Sequence, residues 1–277
     1  MPHVALLAAQ TKAVQVRNIF CIGRNYSAHI AELGNRPEED PVVFIKPTSA
    51  LHVQGKPIVL PVHSSEVHYE AELVLLVGKA GKHIPEDEAM DYIAGYGLGL
   101  DLTARDLQTK AKQGGLPWAV AKGFDCAATV TPFVPANTIQ NPFEIQFEMH
   151  LNGHVKQHGD IRKMLFSIPL IVHYLSTVFA LQEGDLIFTG TPEGVDVVCD
   201  ALQGASTRQA KVTFIQAVSI IGAPARSRGE LMLEKMKNDP DQGVSDEATY
   251  CLAVLKGEKA EPEAKIRPPQ KGGDGKG

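Results

Sequence analysis

The sequence predicts an α+β fold in which one large β-sheet dominates and few helices accompany it. Many apolar segments are short runs of strand length bounded by Gly or Pro, such as residues 18–23 and 41–47. Strand patterns prevail from residue 127 onward. They include a predicted hairpin over residues 147–157, whose Asn152-Gly153 pair favours a tight type I′ turn. Many short strands with few helices are typical of α+β domains.

Composition bounds the size of the protein and argues against several kinds of partner. The chain has 277 residues, of which 44% are hydrophobic and 21% charged, so it can bury one large core or two smaller ones. A net charge of −5 without a basic stripe argues against nucleic acid or an anionic membrane as partner. No apolar run has transmembrane length. The scattered cysteines indicate free thiols in a reducing compartment (Cys21, Cys126, Cys199 and Cys251).

The first residues do not resemble a targeting segment. Residues 1–5 lack the basic start and long apolar core of a secretory signal. The first sixteen residues hold one Lys and no Arg, unlike an Arg-rich mitochondrial presequence. We therefore expect a cytoplasmic protein, with the mitochondrion as the alternative in a eukaryote.

A short helix is predicted over residues 27–33, with Gly34 ending it. His29 and Glu32 lie three residues apart and are therefore neighbours on the helix surface. A carboxylate beside an imidazole fixes its tautomer and raises its basicity, as a general base requires. The alternative is an ordinary surface pair. In the next predicted strand, Lys46 is either a surface lysine or part of a site wall.

Two glutamates precede the most apolar strand of the sequence, in residues 67–77. Positions i and i+2 of a strand share a face, so Glu70 and Glu72 are predicted to project together. Adjacent carboxylates repel one another, so a cation lies between them, one holds a proton, or both face water. A hard cation such as Mg²⁺ prefers carboxylate oxygens, and a solvated strand face is the alternative. His68 shares this face, as a ligand or as a neighbour of the ligands.

A third carboxylate follows a glycine-rich strand. Gly at alternate positions in residues 95–99 indicates close approach of the backbone to a neighbour. Asp101 then stands at the start of a helix predicted over residues 101–113, where it could simply be the N-cap. Arg105 and Gln108 lie one turn further along on its side. A guanidinium and an amide there are suited to binding a carboxylate.

Later segments supply two more candidates. Lys122 is flanked by small and apolar residues, which is unusual for a solvated lysine. A helix is predicted over residues 168–181, begun by Ser167 and Pro169. In the loop after the next strand, Thr191 and nearby backbone N–H groups form either an anion-binding nest or a plain β-turn. The histidines of the hairpin are predicted to lie at the surface without a metal (His150, His154 and His158).

Several of these motifs, in this order, resemble the fumarylacetoacetate hydrolase family, and most closely its single-domain acylpyruvase and oxaloacetate decarboxylase branch. The central blocks are V-H-Y-E-x-E at residues 67–72 and G-x-x-x-D-x-T-x-R-D at residues 97–106. Further matching blocks are Gly23-Arg24-Asn25-Tyr26, Phe44-Ile45-Lys46-Pro47, Leu116-Pro117-Trp118, Phe166-Ser167-Ile168-Pro169 and Thr189-Gly190-Thr191-Pro192. The resemblance spans about residues 18–214. It implies a mixed β-sandwich roll, usually assembled as a homodimer.

The resemblance also implies roles for the candidate residues. Mg²⁺ or Mn²⁺ is expected on Glu70, Glu72 and Asp101, with a 2-oxo acid as the small-molecule substrate. His29 with Glu32 is expected to activate water, and Lys122 to face the substrate carboxylate or oxyanion. Substrate orientation is expected from the remaining polar residues (Arg24, Arg105, Gln108 and Thr191). The segment 34–40 is expected to close over the site as a lid.

The activity implied is hydrolysis at C3 of 3-acylpyruvates such as acetylpyruvate or fumarylpyruvate, or decarboxylation or tautomerisation of oxaloacetate. Two alternatives stay open: an isomerase or decarboxylase of dienoates from aromatic catabolism, and a non-catalytic scaffold of the same fold. The expected catalytic domain is residues 1–216. Residues 217–277 are expected to form a divergent extension, partly disordered because its end is charged and rich in Pro and Gly.

Overall fold

The computed structural model describes residues 2–7, 12–32, 38–53, 58–151, 154–197 and 209–210, all within one unit spanning Met1–Leu231. The strands are β1 (His3–Leu6), β2 (Lys12–Gln15), β3 (Ile19–Gly23), β4 (Val42–Lys46), β5 (Leu51–Val53), β6 (Ile58–Val59), β7 (Val67–Tyr69), β8 (Ala71–Val77), β9 (Ile93–Asp101), β10 (Thr103–Ala104), β11 (Ala128–Val130), β12 (Val134–Pro135), β13 (Gln146–Leu151), β14 (His154–Asp160), β15 (Leu186–Phe188), β16 (Asp196–Val197) and β17 (Gln209–Ala210). The helices are α1 (Ser27–Glu32), α2 (Arg105–Gly114), α3 (Ala119–Lys122) and α4 (Ile168–Val178). Short 3₁₀ turns lie at Thr48–Ala50, Glu86–Tyr92, Ala136–Thr138 and Ile161–Lys163.

A mixed sheet forms the centre of the fold, in the order β4-β3-β15-β8-β9-β11-β5, with β12 paired to β9. The pairs β15–β3 and β11–β5 are parallel, and the other pairs are antiparallel. Every residue of β8 is buried, as expected for a central strand covered on both faces. The predicted α+β class with a dominant sheet is confirmed.

The glycines of β9 permit the close approach that their spacing predicts. A Cβ atom at Gly99 would lie 2.6 Å from the Phe188 ring of β15 and 2.7 Å from Val74 of β8. Real Cβ atoms do not approach neighbours so closely, so only glycine fits here without displacing the core. This packing holds β9 against β8 up to the end of the strand at Asp101.

The prediction of a helix from residue 101 is wrong at its start. Asp101 ends β9, and Thr103–Ala104 forms β10, in which Thr103 pairs with His68 of β7. The helix α2 begins only at Arg105, because the intervening residues are held in this antiparallel ladder. The correction moves Asp101 from a helix cap to the end of a buried strand, beside β8.

Other predicted elements hold with small changes. Helix α4 begins at Ile168 after the Ser167 side chain, which accepts a hydrogen bond from Leu170 N–H. It ends at Val178 rather than near residue 181, since Phe179 is extended and Leu181 pairs with Gly81. The predicted hairpin is formed by β13 and β14, and its turn at residues 152–153 lies outside the described residues.

The predicted extension, residues 217–277, also lies outside the described residues. Within the described part of the chain, no helix combines the length and apolar character needed to cross a bilayer.

Candidate active site

Three carboxylates converge where β8 and β9 meet. Glu72 lies on β8, Glu70 occupies the break between β7 and β8, and Asp101 ends β9. The Asp101 N–H donates to the Glu70 carbonyl at 2.9 Å, which brings the two strand ends together. One oxygen from each carboxylate lies within 4.8 Å of the others, and all three side chains are buried. We call this set the acidic triad.

Two members of the acidic triad are paired with buried cations. Lys122 Nζ donates to Glu70 Oε2 at 2.7 Å and to Asp101 Oδ2 at 2.6 Å. Arg105 donates to the other oxygen of Glu70, and Lys46 Nζ lies 2.7 Å from Asp101 Oδ1. The Lys46 contact is an ion pair without hydrogen-bond alignment, so Asp101 Oδ1 keeps unused acceptor capacity. Lys46 is therefore part of the site wall, not a surface lysine.

Glu72 is the member without a cationic partner among the described residues. Its Oε2 accepts a hydrogen bond from Gly190 N–H at 2.7 Å, and it forms no ion pair. Burial, with Asp101 and Glu70 alongside, raises the pKa of Glu72 well above its usual range. Although burial also disfavours the Glu70 carboxylate, Lys122 and Arg105 hold the pKa of Glu70 well below its usual range. Within the described residues, Glu72 is thus the member whose ionised form has no cationic partner.

The acidic triad fits a divalent cation. It offers hard oxygen ligands, the type that Mg²⁺ and Mn²⁺ prefer. Its spacing allows one ion to reach all three residues, and Asp101 Oδ1 and the Glu72 carboxylate are the oxygens with spare capacity. A buried carboxylate with no cation is costly, so a bound cation accounts for Glu72 better than a solvated face does.

Helix α2 places a polar stripe beside the acidic triad. Arg105 donates from its second terminal nitrogen to Gln108 Oε1 at 2.6 Å, besides its bond to Glu70. Its Nε faces His68 Nδ1 at 3.5 Å, while His68 Nε2 lies 2.8 Å from a Glu66 oxygen. His68 therefore supports Arg105 and is outside the acidic triad. These contacts fix the guanidinium plane at the edge of the cleft.

The predicted His–Glu pair lies on α1, across the cleft. His29 Nδ1 is 3.3 Å from Glu32 Oε2, and His29 is buried with 5% of its surface exposed. The other Glu32 oxygen accepts from Gly194 N–H at 3.3 Å. Burial lowers the pKa of His29, against the opposing effects of Glu70 and Glu32, so the imidazole stays neutral and able to accept a proton. A solvated surface pair does not describe this geometry.

Arg24 and Thr191 both border the cleft, and the buried Nε of Arg24 has no hydrogen-bond partner among the described residues. Arg24 has a positive φ of 59° and forms an ion pair with Glu38, in the described end of the predicted lid. Residues 33–37, which include most of that segment, lie outside the described part. The Thr191 hydroxyl donates to the Ala71 carbonyl at 2.9 Å and accepts from Gln157 at 2.9 Å. Thr191 thus anchors its loop to β8, and this anchoring is independent of any contact with a substrate.

Gln157 supports the site through its bonds to Ala71 and Thr191, and no sequence motif identifies it. Its carboxamide accepts from Ala71 N–H at 2.8 Å and donates to Thr191 Oγ1 and, at 3.0 Å, to the Pro192 carbonyl. It is 1% exposed, between the exposed neighbours Lys156 and His158. The available signal was its inward position on an alternating strand, where a polar residue needs a buried partner. Gln157 joins the hairpin to the strand that bears Glu72.

Replacing Gln157 with leucine is expected to lower the free energy of unfolding by about 2–4 kcal/mol, because each buried polar group left unsatisfied costs about 1–3 kcal/mol. Urea denaturation measures the loss. The exposed neighbour supplies the control, His158→Ala, which should change stability by less than about 0.5 kcal/mol. Equal, small effects of both substitutions would contradict the anchoring role of Gln157.

The site opens into a cleft with about 410 Å³ of empty space, part of which is open solvent. The acidic triad and Lys122 lie at its floor, and His29 and Arg105 lie on its walls. Phe44 and Trp118, with ring centroids 5.8 Å apart, make an apolar wall, and Lys112 also lines the cleft. The cleft thus combines a charged floor with an apolar wall.

The mixed sheet brings buried carboxylates and cations together in one cleft, an arrangement typical of enzyme sites. The family profile described as fumarylacetoacetate (FAA) hydrolase C-terminal matches residues 18–232. The chain therefore belongs to the fumarylacetoacetate hydrolase family, as the sequence motifs predicted, and it is an enzyme of that family.

Known relatives agree with this assignment. The chain is 46% identical over 179 residues to the mouse protein named oxaloacetate tautomerase FAHD1, mitochondrial, covering 65% of this chain and 81% of the mouse protein. It is 43% identical to oxaloacetate decarboxylase, mitochondrial, of Dictyostelium discoideum, over 66% of this chain and 84% of that protein. The crystal structure of fumarylpyruvate hydrolase from Pseudomonas aeruginosa in complex with Mn²⁺ and pyruvate superimposes with a TM-score of 0.66, at 39% identity over 71% of this chain and 87% of that one. The predicted fold type is thereby confirmed.

Proposed function

We propose that this protein is a Mg²⁺- or Mn²⁺-dependent enzyme of 2-oxo acids. It would cleave the C3 carbon–carbon bond of 3-acylpyruvates, decarboxylate or tautomerise oxaloacetate, or do both. The observation that carries the proposal is the buried acidic triad with Lys122 bridging Glu70 and Asp101. The names of the mouse, Dictyostelium and Pseudomonas relatives support the substrate class.

The acidic triad would hold the ion, which supplies Lewis-acid stabilisation of charge on a 2-oxo acid. Lys122 lies where it can donate a hydrogen bond to the oxygen that gains negative charge when a bond at C3 breaks. Arg105 and Gln108, already held in register by their mutual hydrogen bond, orient the substrate from one side. Arg24 and Thr191 also line the cleft and would contact the substrate there.

Hydrolysis needs one further group, and His29 supplies it. The neutral imidazole takes a proton from water as the water oxygen bonds to the acyl carbonyl carbon. The bond between that carbon and C3 then breaks, and its electron pair forms the enolate of the released 2-oxo acid. The imidazolium returns the proton to C3, so a carboxylic acid and a 2-oxo acid leave. Glu32 holds His29 in the required tautomer.

Decarboxylation and tautomerisation use the same floor without an attacking water. The mouse and Dictyostelium relatives carry these two activities in their names, which favours oxaloacetate as a candidate substrate beside the acylpyruvates. We further propose a homodimer, and a cytoplasmic or mitochondrial location, the latter supported by the names of both relatives.

Side-by-side assays test this proposal. Acetylpyruvate, fumarylpyruvate and oxaloacetate are each incubated with the protein and Mg²⁺ or Mn²⁺, with and without EDTA. We expect turnover of at least one substrate that EDTA abolishes and added metal restores. Absence of turnover for all three, or turnover that is indifferent to EDTA, would contradict the proposed function.

The acid limb of the pH profile of hydrolysis, where the rate falls as the pH is lowered, tests the role of His29. Because burial lowers the pKa of His29 below its usual 6.5, the base stays unprotonated to more acidic pH, and kcat/KM should fall only below about pH 6.5. The Glu32 carboxylate raises this pKa, so Glu32→Gln should move the limb further toward acid. A pH profile of acylpyruvate hydrolysis measures both. A limb above pH 6.5, or one unmoved by Glu32→Gln, would count against His29 as the base.

A further inference from the structure

Lys112 differs from the other cations that line the cleft, because it has no carboxylate partner among the described residues. Lys122, Arg105 and Arg24 are each ion-paired with a carboxylate. Lys112 forms no such pair; its Nζ instead lies 5.5 Å from the centre of the Trp118 ring. An ammonium over an aromatic face is held in place without being neutralised.

Helix geometry directs Lys112 toward the site. Arg105, Gln108 and Lys112 follow one another at i, i+3 and i+7, so they form one stripe along α2. Helical side chains lean toward the helix N-terminus, which here means toward Arg105 and the floor. The rise from Arg105 to Lys112 is about 10 Å along the helix axis, a span that the long lysine side chain shortens. Lys110 and Lys112 are both exposed, but only Lys112 lines the cleft.

The aromatic wall connects the floor to Lys112. Lys122 Nζ lies 4.9 Å from the Phe44 ring centre, Phe44 packs edge-on against Trp118 at 5.8 Å, and Lys112 lies over Trp118. An elongated acid bound at the floor would therefore run along an apolar surface and meet a cation at its far end. Partial loss of hydration, with Arg105 and Arg24 nearby, lowers the pKa of Lys112 to about 8. Positive charge accumulated without a counter-charge favours an anion at that point.

Building on the proposed function, we propose that Lys112 binds the second carboxylate of a dicarboxylic 2-oxo acid. The first carboxylate would bind the cation that the acidic triad would hold, and the second reaches the unpaired ammonium above Trp118. Lys112 is then a specificity-determining residue that favours dianionic substrates, such as fumarylpyruvate, over the monoanionic acetylpyruvate. The far carboxylate of fumarylpyruvate is unchanged by hydrolysis, so the contribution of Lys112 to that reaction appears in KM and not in kcat.

Turnover of two substrates in four proteins tests this assignment. Lys112→Met keeps the apolar stem and removes the charge, and it should raise KM for hydrolysis of fumarylpyruvate about tenfold, the usual effect of one charge-assisted hydrogen bond. KM for acetylpyruvate and both kcat values should change less than about twofold. Lys112→Arg should restore most of the affinity for fumarylpyruvate, and Lys110→Met on the same helix should match the unmodified enzyme. Equal changes for the two substrates, or no change, would overturn the assignment.

A binding measurement separates this inference from the proposed activity. Trp118 is the only tryptophan of the sequence and lies beneath Lys112, so its fluorescence reports ligands in the cleft. With Mg²⁺ present, 2-oxoglutarate should bind about tenfold more tightly than pyruvate, and Lys112→Met should remove the difference. Equal affinities in the unmodified protein would overturn the role of Lys112 even if turnover is found. Absent turnover with this preference intact would contradict only the proposed reaction.

Discussion

Replacing Glu72 with alanine is expected to abolish binding of a divalent ion and, with it, turnover of every 2-oxo acid substrate. Glu72 is the member of the acidic triad that no cation of the described chain neutralises. Its charge is therefore the one available to an ion, whereas Glu70 and Asp101 share theirs with Lys122. Metal stabilisation of developing charge is worth several kcal/mol, so kcat/KM should fall at least about 10³-fold.

Isothermal titration with Mg²⁺ and Mn²⁺, beside an oxaloacetate assay, measures both effects. Glu72→Gln refines the result, since its carboxamide oxygen can still accept the Gly190 N–H while the charge is gone. It should lose metal affinity nearly as completely as Glu72→Ala. Glu148→Gln, on the hairpin surface, serves as the matched control and should behave like the unmodified protein. Unchanged Mg²⁺ affinity in Glu72→Ala would show that the ion is not held by this triad.

The sequence was sufficient to predict the three carboxylates, but not the way in which they meet. The alternation rule placed Glu70 and Glu72 on one face of a strand, whereas Glu70 actually lies in the break between β7 and β8. Asp101 joins them because β9 pairs with β8 and its N–H bonds the Glu70 carbonyl. Such pairing across thirty residues is a tertiary fact that local periodicity does not encode.

Pairing with a distant strand also explains why the start of helix α2 was predicted too early. Residues 101–104 have cap-type residues followed by a good helix, so the local pattern favours an earlier beginning. The structure instead pairs Thr103 with His68, a contact set by the neighbouring strand. The ion pair of Lys46 with Asp101 was equally out of reach, since its partners lie 55 positions apart in the sequence. Resemblance to a known family, in contrast, identified the fold type that periodicity left open.

The sequence contains a pattern that bears on each of two further residues, Lys112 and Gln157. Lys112 continues the i, i+3, i+7 stripe of Arg105 and Gln108, so the helix pattern alone pointed to the cleft. Gln157 occupies an inward position of an alternating strand. Neither residue belongs to a motif. Lysine and glutamine are usually solvated, so the pattern alone does not mark either residue as functional. Their partners, Trp118 and Thr191, became evident only in three dimensions.

Loss of the His29 imidazole is expected to separate hydrolysis from decarboxylation. Hydrolysis requires a deprotonated water at the acyl carbonyl, and losing a general base typically costs about 10²–10⁴-fold in rate. Decarboxylation of oxaloacetate requires alignment of the bond to be broken and stabilisation of the enolate, which the floor residues provide. His29→Ala should therefore reduce kcat for acylpyruvate hydrolysis by that factor and spare oxaloacetate decarboxylation to a greater degree. Steady-state kcat for both substrates on the one variant measures the separation.

In the alternative to a base role, His29 would act by keeping α1 and the surrounding loops in position. Glu32 links α1 to the loop of Gly194, and Arg24 links the strand before α1 to Glu38, so the helix could act by positioning the surrounding loops. In that case His29→Ala would lower both activities equally, because both substrates occupy the same cleft. Glu32→Gln keeps an oxygen that can accept from Gly194 N–H while removing the charge beside His29. A selective loss of hydrolysis in Glu32→Gln as well, with decarboxylation retained, would therefore favour proton transfer, whereas parallel losses would remove the base assignment.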